Sequence, residues 1–502
     1  MQKRFYLLFI ISISLLGLSC NFEQPPKSFQ NVLFIISDDL ATHAVGAYGN
    51  EIIRTPNIDA LAAAGVRFER AYATSPMCTP SRASLMTGLY PHTAGVTLLQ
   101  TPLPDSVLTI AEYLKEQGFA TGLFGKHHFN SNLKHGFDTL VNNREHQQFL
   151  ASATQPGVPE GTKVRPPWKP FQDHARTWLN AEGATSGNWY DFDQGTFFAR
   201  SGIDFIKQHQ QERFFAVISF REPHSPFNFP NEFADAYDPS EVPLAGGDAE
   251  DERFIPQVFA DLTEEEKRGI VRSYYSSVEY MDRNVGLVLD ELKKMGLDES
   301  TLVVFVGDHG YLLNHHNRFE KHMMWEEAIT TPLIIRGYEQ GTVVEQPVSL
   351  LDIVPTMVES LGLEAMPDRQ GIALQPVLQG VNTKLHQFIF AEYLEDNKAM
   401  ITDGEYKYIF TSGKNDLGSG YATGNEPTGI DHRLYHLPSD PQEQTNLIMR
   451  PEHAPRVDRL MMSMAYTFRK THPMSNQVMV TLSLPTQLRQ FVEPTDGMGK
   501  KP

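Results

Sequence analysis

Short, continuous apolar runs recur along the chain and predict buried strands. They cover Asn31–Ser37, Ala120–Phe124, Phe214–Phe220, Thr301–Val306 and Thr331–Ile335. A run that lacks polar alternation is typical of a central strand in a parallel sheet, which is covered by helices on both faces. The repeated pattern therefore indicates an α/β fold built on one large sheet.

Segments with helical spacing lie between these runs. Helices are predicted at Leu108–Gly118 and near Gly195–Gln208, and a long one follows the capping-box sequence Thr263–Glu266. Apolar residues at steps of three and four form one stripe on the long helix, comprising Ile270, Tyr274, Val278, Met281, Val285, Val288 and Leu292. Such a stripe predicts a helix face that packs on the core.

The pattern changes from about His386 to short strands separated by turns. These strands are Phe388–Phe390, Ala399–Ile401, Tyr406–Phe410 and Arg433–Leu437, and a closing helix runs near Pro455–Lys470. We therefore predict a main domain over residues 31–385 and a small C-terminal subdomain with an antiparallel sheet over residues 386–475.

The N-terminal segment predicts export. Basic residues precede the apolar run Phe5–Leu18, which is shorter than the ~20 residues of a membrane-spanning helix. Residues 1–19 indicate a signal peptide, and Cys20 directly after the cleavage region resembles the lipid anchor of a bacterial lipoprotein. Gly17 stands where Leu is usual, so an ordinary signal peptide with an incidental cysteine is the alternative. We expect a protein of the bacterial cell envelope that meets the membrane only through this anchor.

The composition is that of an acidic globular protein. Its 502 residues include 61 Asp and Glu against 43 Lys and Arg, which gives a formal net charge of −18. This balance argues against nucleic acid as a partner, because nucleic-acid binding requires basic surfaces. An anionic substrate would have to be met by a local cluster of Lys, Arg, His and metal. The only two cysteines are Cys20 and Cys78, so no disulfide framework is expected.

Polar residues at the ends of the predicted strands supply candidate chemistry. Asp38 and Asp39 follow the first strand, and Asp308 follows the strand Thr301–Val306. Carboxylates at the carboxyl ends of parallel strands lie where α/β proteins bind ligands, and hard divalent cations prefer oxygen donors. These aspartates converge if their strands are parallel neighbours. For the first pair alone, a solvated loop or a helix-capping pair is the alternative.

The stretch Cys78–Gly88 carries the longest motif in the chain. Taken alone, it could be a strand-to-helix turn, with Pro80 at an early helical position and Leu85 and Met86 packing inward. It also matches, residue for residue, the pattern C-x-P-S-R-x-x-L-x-T-G. By this match the chain resembles a type I sulfatase of the alkaline-phosphatase superfamily.

The resemblance implies a modified nucleophile at Cys78. In this family a maturation enzyme oxidises the motif cysteine to formylglycine (3-oxoalanine), whose hydrated aldehyde attacks the sulfur of a sulfate ester. One hydroxyl of the hydrate attacks and the second expels the sulfate afterwards, so water need not displace it from carbon. Arg82, one helical turn behind, could steady the resulting anion.

Two later loops resemble catalytic loops of the same family. Gly125–His128 resembles its G-K-x-H loop, in which Lys126 and His128 would contact the formylglycine and His128 would be the base that collapses the sulfated intermediate. Family members usually have Trp at the position of His127, and this departure predicts a different substrate wall. The P-H-x-P order after the next strand makes His224 the proton donor to the leaving alcohol.

The remaining site assignments also rest on the resemblance. It aligns Lys321 with the lysine that grips sulfate, and it identifies five metal ligands, namely Asp38, Asp39, Cys78, Asp308 and His309. We predict one divalent cation, Ca²⁺, because the ligands other than Cys78 are mostly carboxylates. Many relatives carry Asn in place of His309, and a nitrogen donor weakens the case for pure calcium chemistry.

The segment Asn143–Phe192 lacks clear periodicity and is interpreted as an insertion on the substrate side. Its tryptophans and several polar residues elsewhere are predicted to contact sugars, namely Trp168, Trp178, Trp189, His127, Asn314, His315, His316, Arg318 and Trp325. We therefore expect a sulfated carbohydrate substrate, either an algal glycan such as ulvan or a glycosaminoglycan.

The sequence thus predicts an exported α/β hydrolase that removes sulfate from a polysaccharide or its oligosaccharides. A large mixed, mostly parallel sheet should lie between helices, beside a small C-terminal antiparallel subdomain. The first alternative is a phosphonate or phosphodiester hydrolase of the same superfamily, which shares the scaffold and uses a metal-ligating histidine. The second is a non-catalytic lipoprotein that binds sulfated glycans. The intact nucleophile, metal and proton-transfer residues argue against the second.

Overall fold

A computed structural model places the predicted elements in space. It describes residues 28–166, 175–249, 251–381, 383–413, 429–494 and 496. The predicted signal peptide, Cys20 and Trp168 lie outside these described residues. Within them, no helix combines the length and the apolar character needed to cross a membrane.

Nine strands of the described chain form one mixed sheet. They are β1 (Asn31–Asp38), β2 (Val66–Tyr72), β3 (Ala120–Gly125), β4 (Thr139–Val141), β5 (Phe214–Pro223), β6 (Thr301–Gly307), β7 (Thr330–Arg336), β8 (Thr342–Val344) and β9 (Val348–Ser349). Their order is β4-β3-β5-β1-β6-β7-β2-β8, and β9 pairs with β2. Strands β4, β3, β5, β1 and β6 run parallel, whereas β7 is antiparallel to both of its neighbours. The predicted large, mostly parallel sheet is confirmed.

Helices cover both faces of this sheet. The helices of the main domain are α1 (Pro56–Ala63), α2 (Cys78–Thr87), α3 (Pro91–Ala94), α4 (Ile110–Glu116), α5 (Asn143–Ser152), α6 (Gln194–Gln208), α7 (Gln257–Ala260), α8 (Glu264–Lys294), α9 (Glu326–Ile329), α10 (Ile353–Ser360) and α11 (Gln375–Leu378). Alternate residues of β1 enter different apolar clusters: Phe34 joins residues of α2, α4 and α10, whereas Ile35 joins residues of α1, α6 and α8. The predicted stripe on α8 belongs to the second cluster and is buried.

A second, smaller sheet follows in the chain. Strands β10 (Ile389–Tyr393), β11 (Lys398–Thr402), β12 (Tyr406–Thr411) and β13 (Asp431–His436) pair antiparallel in sequence order. Helices α12 (Ala454–Thr471) and α13 (Leu484–Phe491) share an apolar cluster with this sheet. The predicted antiparallel sheet is confirmed, while the domain limits stay a prediction.

Two of these helices differ from the sequence expectations. Helix α5 lies inside the segment interpreted as irregular, so that interpretation is wrong for its ten residues. Its start has a capping box, because the side chain of Asn142 accepts from the N–H of Arg144 while Glu145 accepts from the N–H of Asn142. Helix α13 lies beyond residue 475, and its Phe491 ring stacks on Phe468 of α12 at 5.2 Å.

Candidate active site

The parallel strands deliver the predicted site residues to one edge of the sheet. Asp38 and Asp39 lie at the end of β1, Lys126 follows β3, His224 follows β5 and Asp308 follows β6. Helix α2 begins at Cys78 and brings it to the same edge. Ligand atoms of Asp38, Asp39, Cys78 and His224 lie within 4.8 Å of one another, as do those of Asp38, Cys78, Asp308 and His309. The convergence expected for parallel neighbours therefore occurs.

Cys78 is buried in the middle of this group. Its Sγ lies 3.1 Å from Lys321 Nζ, 3.3 Å from His309 Nε2 and 3.8 Å from Asp39 Oδ1. Burial opposes ionisation of the thiol, but the positive charges of Lys126 and Lys321 outweigh it and lower the pKa of Cys78 well below its usual range. The surroundings of Cys78 therefore stabilise negative charge at its side-chain position.

Arg82 forms ion pairs with two of the carboxylates near Cys78. Its Nε donates to Asp308 Oδ2 at 2.7 Å, and its Nη2 lies 3.5 Å from Asp38 Oδ1. Nη1 donates to the carbonyl of Lys126 and to Ser219 Oγ, both at 2.8 Å. The guanidinium thus fixes the loop that carries Lys126. Its predicted contact with the anion of the reaction stays a prediction.

The carboxylates and His309 have the arrangement of a cation site. Asp38 Oδ1 and Asp39 Oδ2 are buried and, within the described residues, have no hydrogen-bond partner. His309 Nδ1 donates to the carbonyl of Gly310 at 2.9 Å, which turns Nε2 toward the cluster. Burial disfavours charge on this ring, but Asp308 raises the pKa of His309 to about 9, so a cation bound at Nε2 would replace a proton there. That Nε2 lies 3.4 Å from Asp39 Oδ1 and 3.6 Å from Asp308 Oδ1. These donors fit a divalent cation.

Two lysines form ion pairs with carboxylates of the candidate cation site. Lys126 Nζ lies 2.5 Å from Asp38 Oδ2, and Lys321 Nζ contacts Asp39 Oδ1. Burial would raise the pKa of Asp38, but Lys126 outweighs it and holds that pKa far below its usual range. Burial raises the pKa of Asp308 to about 6, although the positive charges of His309 and Arg82 lower it.

Two histidines flank Cys78 with different environments. His128 Nδ1 lies 3.2 Å from Thr79 Oγ1, and burial together with the charge of Lys126 lowers the pKa of His128. A neutral imidazole of this kind is suited to accept a proton. His224 Nδ1 lies 2.6 Å from the carbonyl of Ser225, which assigns it the proton, and the Nε2 atom lies 4.0 Å from Asp39 Oδ2. The second ring nitrogen of His224 is thereby aimed toward the cluster.

A cleft of about 610 Å³ opens above these residues. Its lining includes Cys78, Lys126, His128, His224 and Lys321, and also His127, Asn142, Asn143, Trp178, Gln194, Phe198, Arg221 and Glu320. His127 therefore forms part of the wall, as predicted, and burial lowers its pKa to about 4. Trp178 meets His224 edge to face at 5.9 Å between ring centroids.

The predicted sugar contacts of His316 and Trp325 are wrong. His316 and Trp325 are buried and stack on each other at 3.9 Å between ring centroids, away from the lining of the cleft. His316 Nδ1 bonds the carboxylate of Asp251, which is buried as well. Asn314, His315, Arg318 and Trp189 are likewise absent from the lining described here. Sequence reasoning missed Arg221 and Glu320, although each adjoins a recognised motif.

Comparisons with known proteins agree with this geometry. A family model described as Sulfatase matches residues 30–363, and one described as N-sulphoglucosamine sulphohydrolase, C-terminal, matches residues 314–470. An ulvan-active sulfatase of Formosa agariphila is 26% identical over an alignment of 441 residues, which covers 86% of this chain and 79% of that protein. The predicted family resemblance is confirmed.

Solved structures share the fold. A phosphonate monoester hydrolase from Silicibacter pomeroyi has a TM-score of 0.72 at 22% identity, covering 89% of this chain and 97% of the other. A protein solved in complex with its substrate D-glucosamine-2-N,6-O-disulfate has a TM-score of 0.70 at 20% identity, covering 88% and 98%. Sulfatases generally use a formylglycine and a divalent metal, and the cluster around Cys78 fits such a metal. Because the Sulfatase model matches residues 30–363, well over half of the chain, the chain belongs to the sulfatase family of sulfuric ester hydrolases.

Proposed function

We propose that this sulfatase removes sulfate from a sulfated polysaccharide or from its oligosaccharides. The observation that carries the proposal is the cleft, which extends from Cys78 to Trp178 and Phe198 and exceeds what a sulfate group alone would fill. Its mixture of aromatic, amide and charged side chains suits a sugar, which presents both apolar faces and hydroxyls. The ulvan-active sulfatase and the protein solved with a disulfated glucosamine support a carbohydrate substrate.

The proposed nucleophile is formylglycine made from Cys78 by a maturation enzyme. Its hydrate would supply one hydroxyl to attack sulfur and a second to release the sulfate. The charged side chains around Cys78 bind the sulfate and stabilise the transition state. Lys126 and Lys321 bind the sulfate oxygens and stabilise the charge that develops on them.

The proton transfers fall to the two histidines. His224, when both ring nitrogens are protonated, donates the Nε2 proton to the oxygen of the departing sugar and keeps the Nδ1 proton on the carbonyl of Ser225. This donation is needed because an alkoxide is otherwise a poor leaving group. His128, which burial and Lys126 keep neutral, then takes the proton from the second hydroxyl as sulfate leaves. Asp38, Asp39, Asp308 and His309 would hold the divalent cation, proposed to be Ca²⁺, which would polarise the sulfate oxygens.

The maturation step is tested by intact-mass analysis. Active protein should show, at Cys78, the mass loss that accompanies conversion of a thiol to an aldehyde. Cys78→Ala should lose turnover of a sulfated oligosaccharide and of 4-nitrophenyl sulfate, while its thermal unfolding midpoint stays within a few degrees. An active enzyme that keeps a free thiol at this position would overturn the mechanism.

The substrate class is tested with the same wild-type protein. A sulfated oligosaccharide should give a higher kcat/KM than 4-nitrophenyl sulfate, because the cleft walls bind the sugar in the transition state. A kcat/KM for the aryl ester that equals or exceeds the value for the oligosaccharide would contradict the proposed polysaccharide substrate.

A second candidate function is supported by His309. The nitrogen ligand and the fold shared with the phosphonate monoester hydrolase both suit phosphonate or phosphodiester hydrolysis. Chelation should abolish activity, and Ca²⁺ should restore hydrolysis of sulfate esters. Restoration by Mn²⁺ or Zn²⁺ alone, with a higher kcat/KM on a phosphonate ester than on the matching sulfate ester, would favour this candidate instead.

The cellular location is proposed to be the bacterial envelope, through a lipid on Cys20. The sequence of the N-terminal segment supports this proposal. Cys20→Ser should move the enzyme from the membrane fraction to the soluble fraction. Retention of the variant in the membrane fraction would contradict the anchor.

A further inference from the structure

A loop beside the cleft is held by a carboxylate from near the C-terminal end of the chain. The loop comprises residues 97–101, and its Leu99 lines the cleft together with Cys78 and His128. The carboxylate belongs to Asp496, which lies five residues beyond the end of α13. The proposed reaction uses neither Leu99 nor Asp496, so the contacts between this loop and Asp496 need an explanation of their own.

One oxygen of Asp496 accepts four hydrogen bonds from the loop. Leu98 N–H donates to Asp496 Oδ2 at 2.8 Å. The hydroxyls of Thr97 and Thr101 donate to the same atom at 2.6 and 3.0 Å, and the backbone N–H of Thr97 donates to it as well. Four donors that converge on one point form an oxyanion site, and an ionised carboxylate suits it because its oxygens only accept hydrogen bonds. Asp496 thus fills a site built for an anion.

The middle of this loop supplies a carbonyl to the helix that begins at Cys78. The Thr79 hydroxyl donates to the carbonyl of Leu99 at 2.7 Å, and Asn130 Nδ2 donates to the same carbonyl at 2.8 Å. Leu99 N–H donates to Glu395 Oε2 at 2.9 Å. The four hydrogen bonds to Asp496 come from residues on both sides of Leu99. The position of the Leu99 carbonyl therefore depends on Asp496 as well as on Glu395.

The Leu99 carbonyl decides which nitrogen of His128 carries a proton. The Thr79 hydroxyl has a single proton and donates it to Leu99, so its oxygen accepts from His128 Nδ1 at 3.2 Å. A neutral imidazole has one N–H, so Nε2 of His128 keeps its lone pair. The base of the proposed reaction needs this lone pair. If the Leu99 carbonyl moved away, the Thr79 hydroxyl could donate to Nδ1 instead, and the wrong tautomer of a catalytic histidine is costly.

We propose that residues 97–101 form an oxyanion site and that Asp496, by filling it, holds His128 in the tautomer of a base. The connection runs through the Leu99 carbonyl and the Thr79 hydroxyl, which makes Asp496 and Thr79 positioning residues. The inference rests on the proposed role of His128 as the base that releases sulfate. It means that a residue near the end of the chain completes the active site.

The first test removes the carboxylate and then supplies a free one. Asp496→Ala should lower kcat on 4-nitrophenyl sulfate about 10- to 100-fold, the range expected for a misplaced catalytic group. Sodium formate should restore much of this kcat, because formate fits the space that the carboxylate leaves, whereas sodium chloride at equal ionic strength should not. The control is Asp458→Ala, at an exposed aspartate of α12, which should keep the wild-type kcat with and without formate.

The second test interrupts the connection at Thr79. Thr79→Val should lower kcat to a similar extent, and formate should not restore it. Thr79→Ser keeps the hydroxyl and should keep most of the kcat. Combining Thr79→Val with Asp496→Ala should cost no more than either change alone, because both interrupt the same connection.

Two results would overturn the inference. One is a kcat of Asp496→Ala that equals the wild-type value or that falls without being restored by formate. The other is a double variant in which the two losses multiply, since the two residues would then act separately. The proposed proton transfer fails by a different measurement. A wild-type kcat in His128→Gln would show that His128 is not the base and would overturn this inference with it.

Discussion

Arg82 makes it possible to bury several carboxylates side by side. Asp38, Asp39 and Asp308 all have no exposed surface, and unpaired charges in such a place would cost several kcal/mol each. The guanidinium bonds Asp308 directly and lies near Asp38, while Lys321 contacts Asp39. The site therefore depends on its cations for stability as well as for substrate binding.

Replacing this arginine should destabilise the fold. In Arg82→Met, the carboxylates of Asp308 and Asp38 lose a buried partner, so the free energy of unfolding should fall by ~3 kcal/mol. Urea unfolding in the presence of a chelator measures this effect without compensation by a bound cation. Sulfatase activity should be lost as well.

The matched control is Arg200→Met, which removes an exposed ion pair with Asp191. Its free energy of unfolding should change by less than ~1 kcal/mol. If Arg82→Met were as stable as this control, Arg82 would not be neutralising the buried carboxylates.

Motifs that fix both identity and spacing predicted which residues lie together, while the catalytic roles of these residues stay a prediction. Cys78, Lys126 and His224 were identified in this way, and the structure brings them to one cleft. His316 and Trp325 failed, because neither residue type reveals from sequence whether a ring faces a cleft or stacks in the interior. Arg221, which lines the cleft, was missed for a related reason, since a single arginine near the end of a strand carries no pattern.

Among the elements, the loop after β3 depends on one glycine. Gly125 has φ of 115°, a backbone conformation that L side chains rarely adopt, and a Cβ there would lie 1.9 Å from the carbonyl oxygen of Ser219. That oxygen also accepts from the N–H of Lys126 at 2.9 Å. Close approach of β3 to β5 is therefore what positions the lysine.

Gly125→Ala should separate these strands and displace Lys126. We expect the free energy of unfolding to fall by about 2–4 kcal/mol, from strain and overlap together, and kcat to fall at least tenfold. Gly118→Ala is the matched control, because Gly118 also has a positive φ of 83° but has no atom within 4 Å of the added Cβ.

The control should lose only about 1 kcal/mol and keep its kcat. Urea unfolding and steady-state kinetics on an aryl sulfate measure both quantities. Equal kinetics in the two alanine variants would contradict the role assigned to Gly125.

Elements with strong local signals were predicted well. The capping box at Thr263 begins α8, and each predicted apolar run of the main domain forms a strand. The antiparallel direction of β7 was not deducible, because a buried strand is apolar in either direction. The short strand β8 was missed since its pairing with β2 depends on tertiary contacts.

At the scale of the whole molecule, His316 joins segments that are distant in sequence. Its Nδ1 lies 3.0 Å from Asp251 Oδ1 and its Nε2 lies 3.4 Å from Glu327 Oε2. Its ring stacks on Trp325, which in turn faces Arg433 of the C-terminal subdomain at 5.8 Å. Burial disfavours charge on His316, but these two carboxylates raise its pKa to about 9 from 6.5.

This shift predicts a loss of stability in mild alkali. The folded-state pKa of His316 is raised above the unfolded value, so its contribution is complete below pH 6.5 and is lost as the pH rises through about 9. The contribution is on the order of 3 kcal/mol. The difference in unfolding free energy between wild type and His316→Gln should therefore shrink between pH 6.5 and 9. A difference that stays constant over this range would show that His316 is not charged in the fold.

The burial of Cys78 sets an order of events during biosynthesis. In the folded protein only 2% of Cys78 is exposed, inside the cleft, so the proposed maturation enzyme would have little access to it. The residues that enclose it come late in the chain, because His309 and Lys321 follow Cys78 by 231 and 243 positions. The thiol thus stays accessible while more than two hundred further residues are made. The proposed oxidation has to occur in that interval, and a chain that folds first would remain permanently inactive.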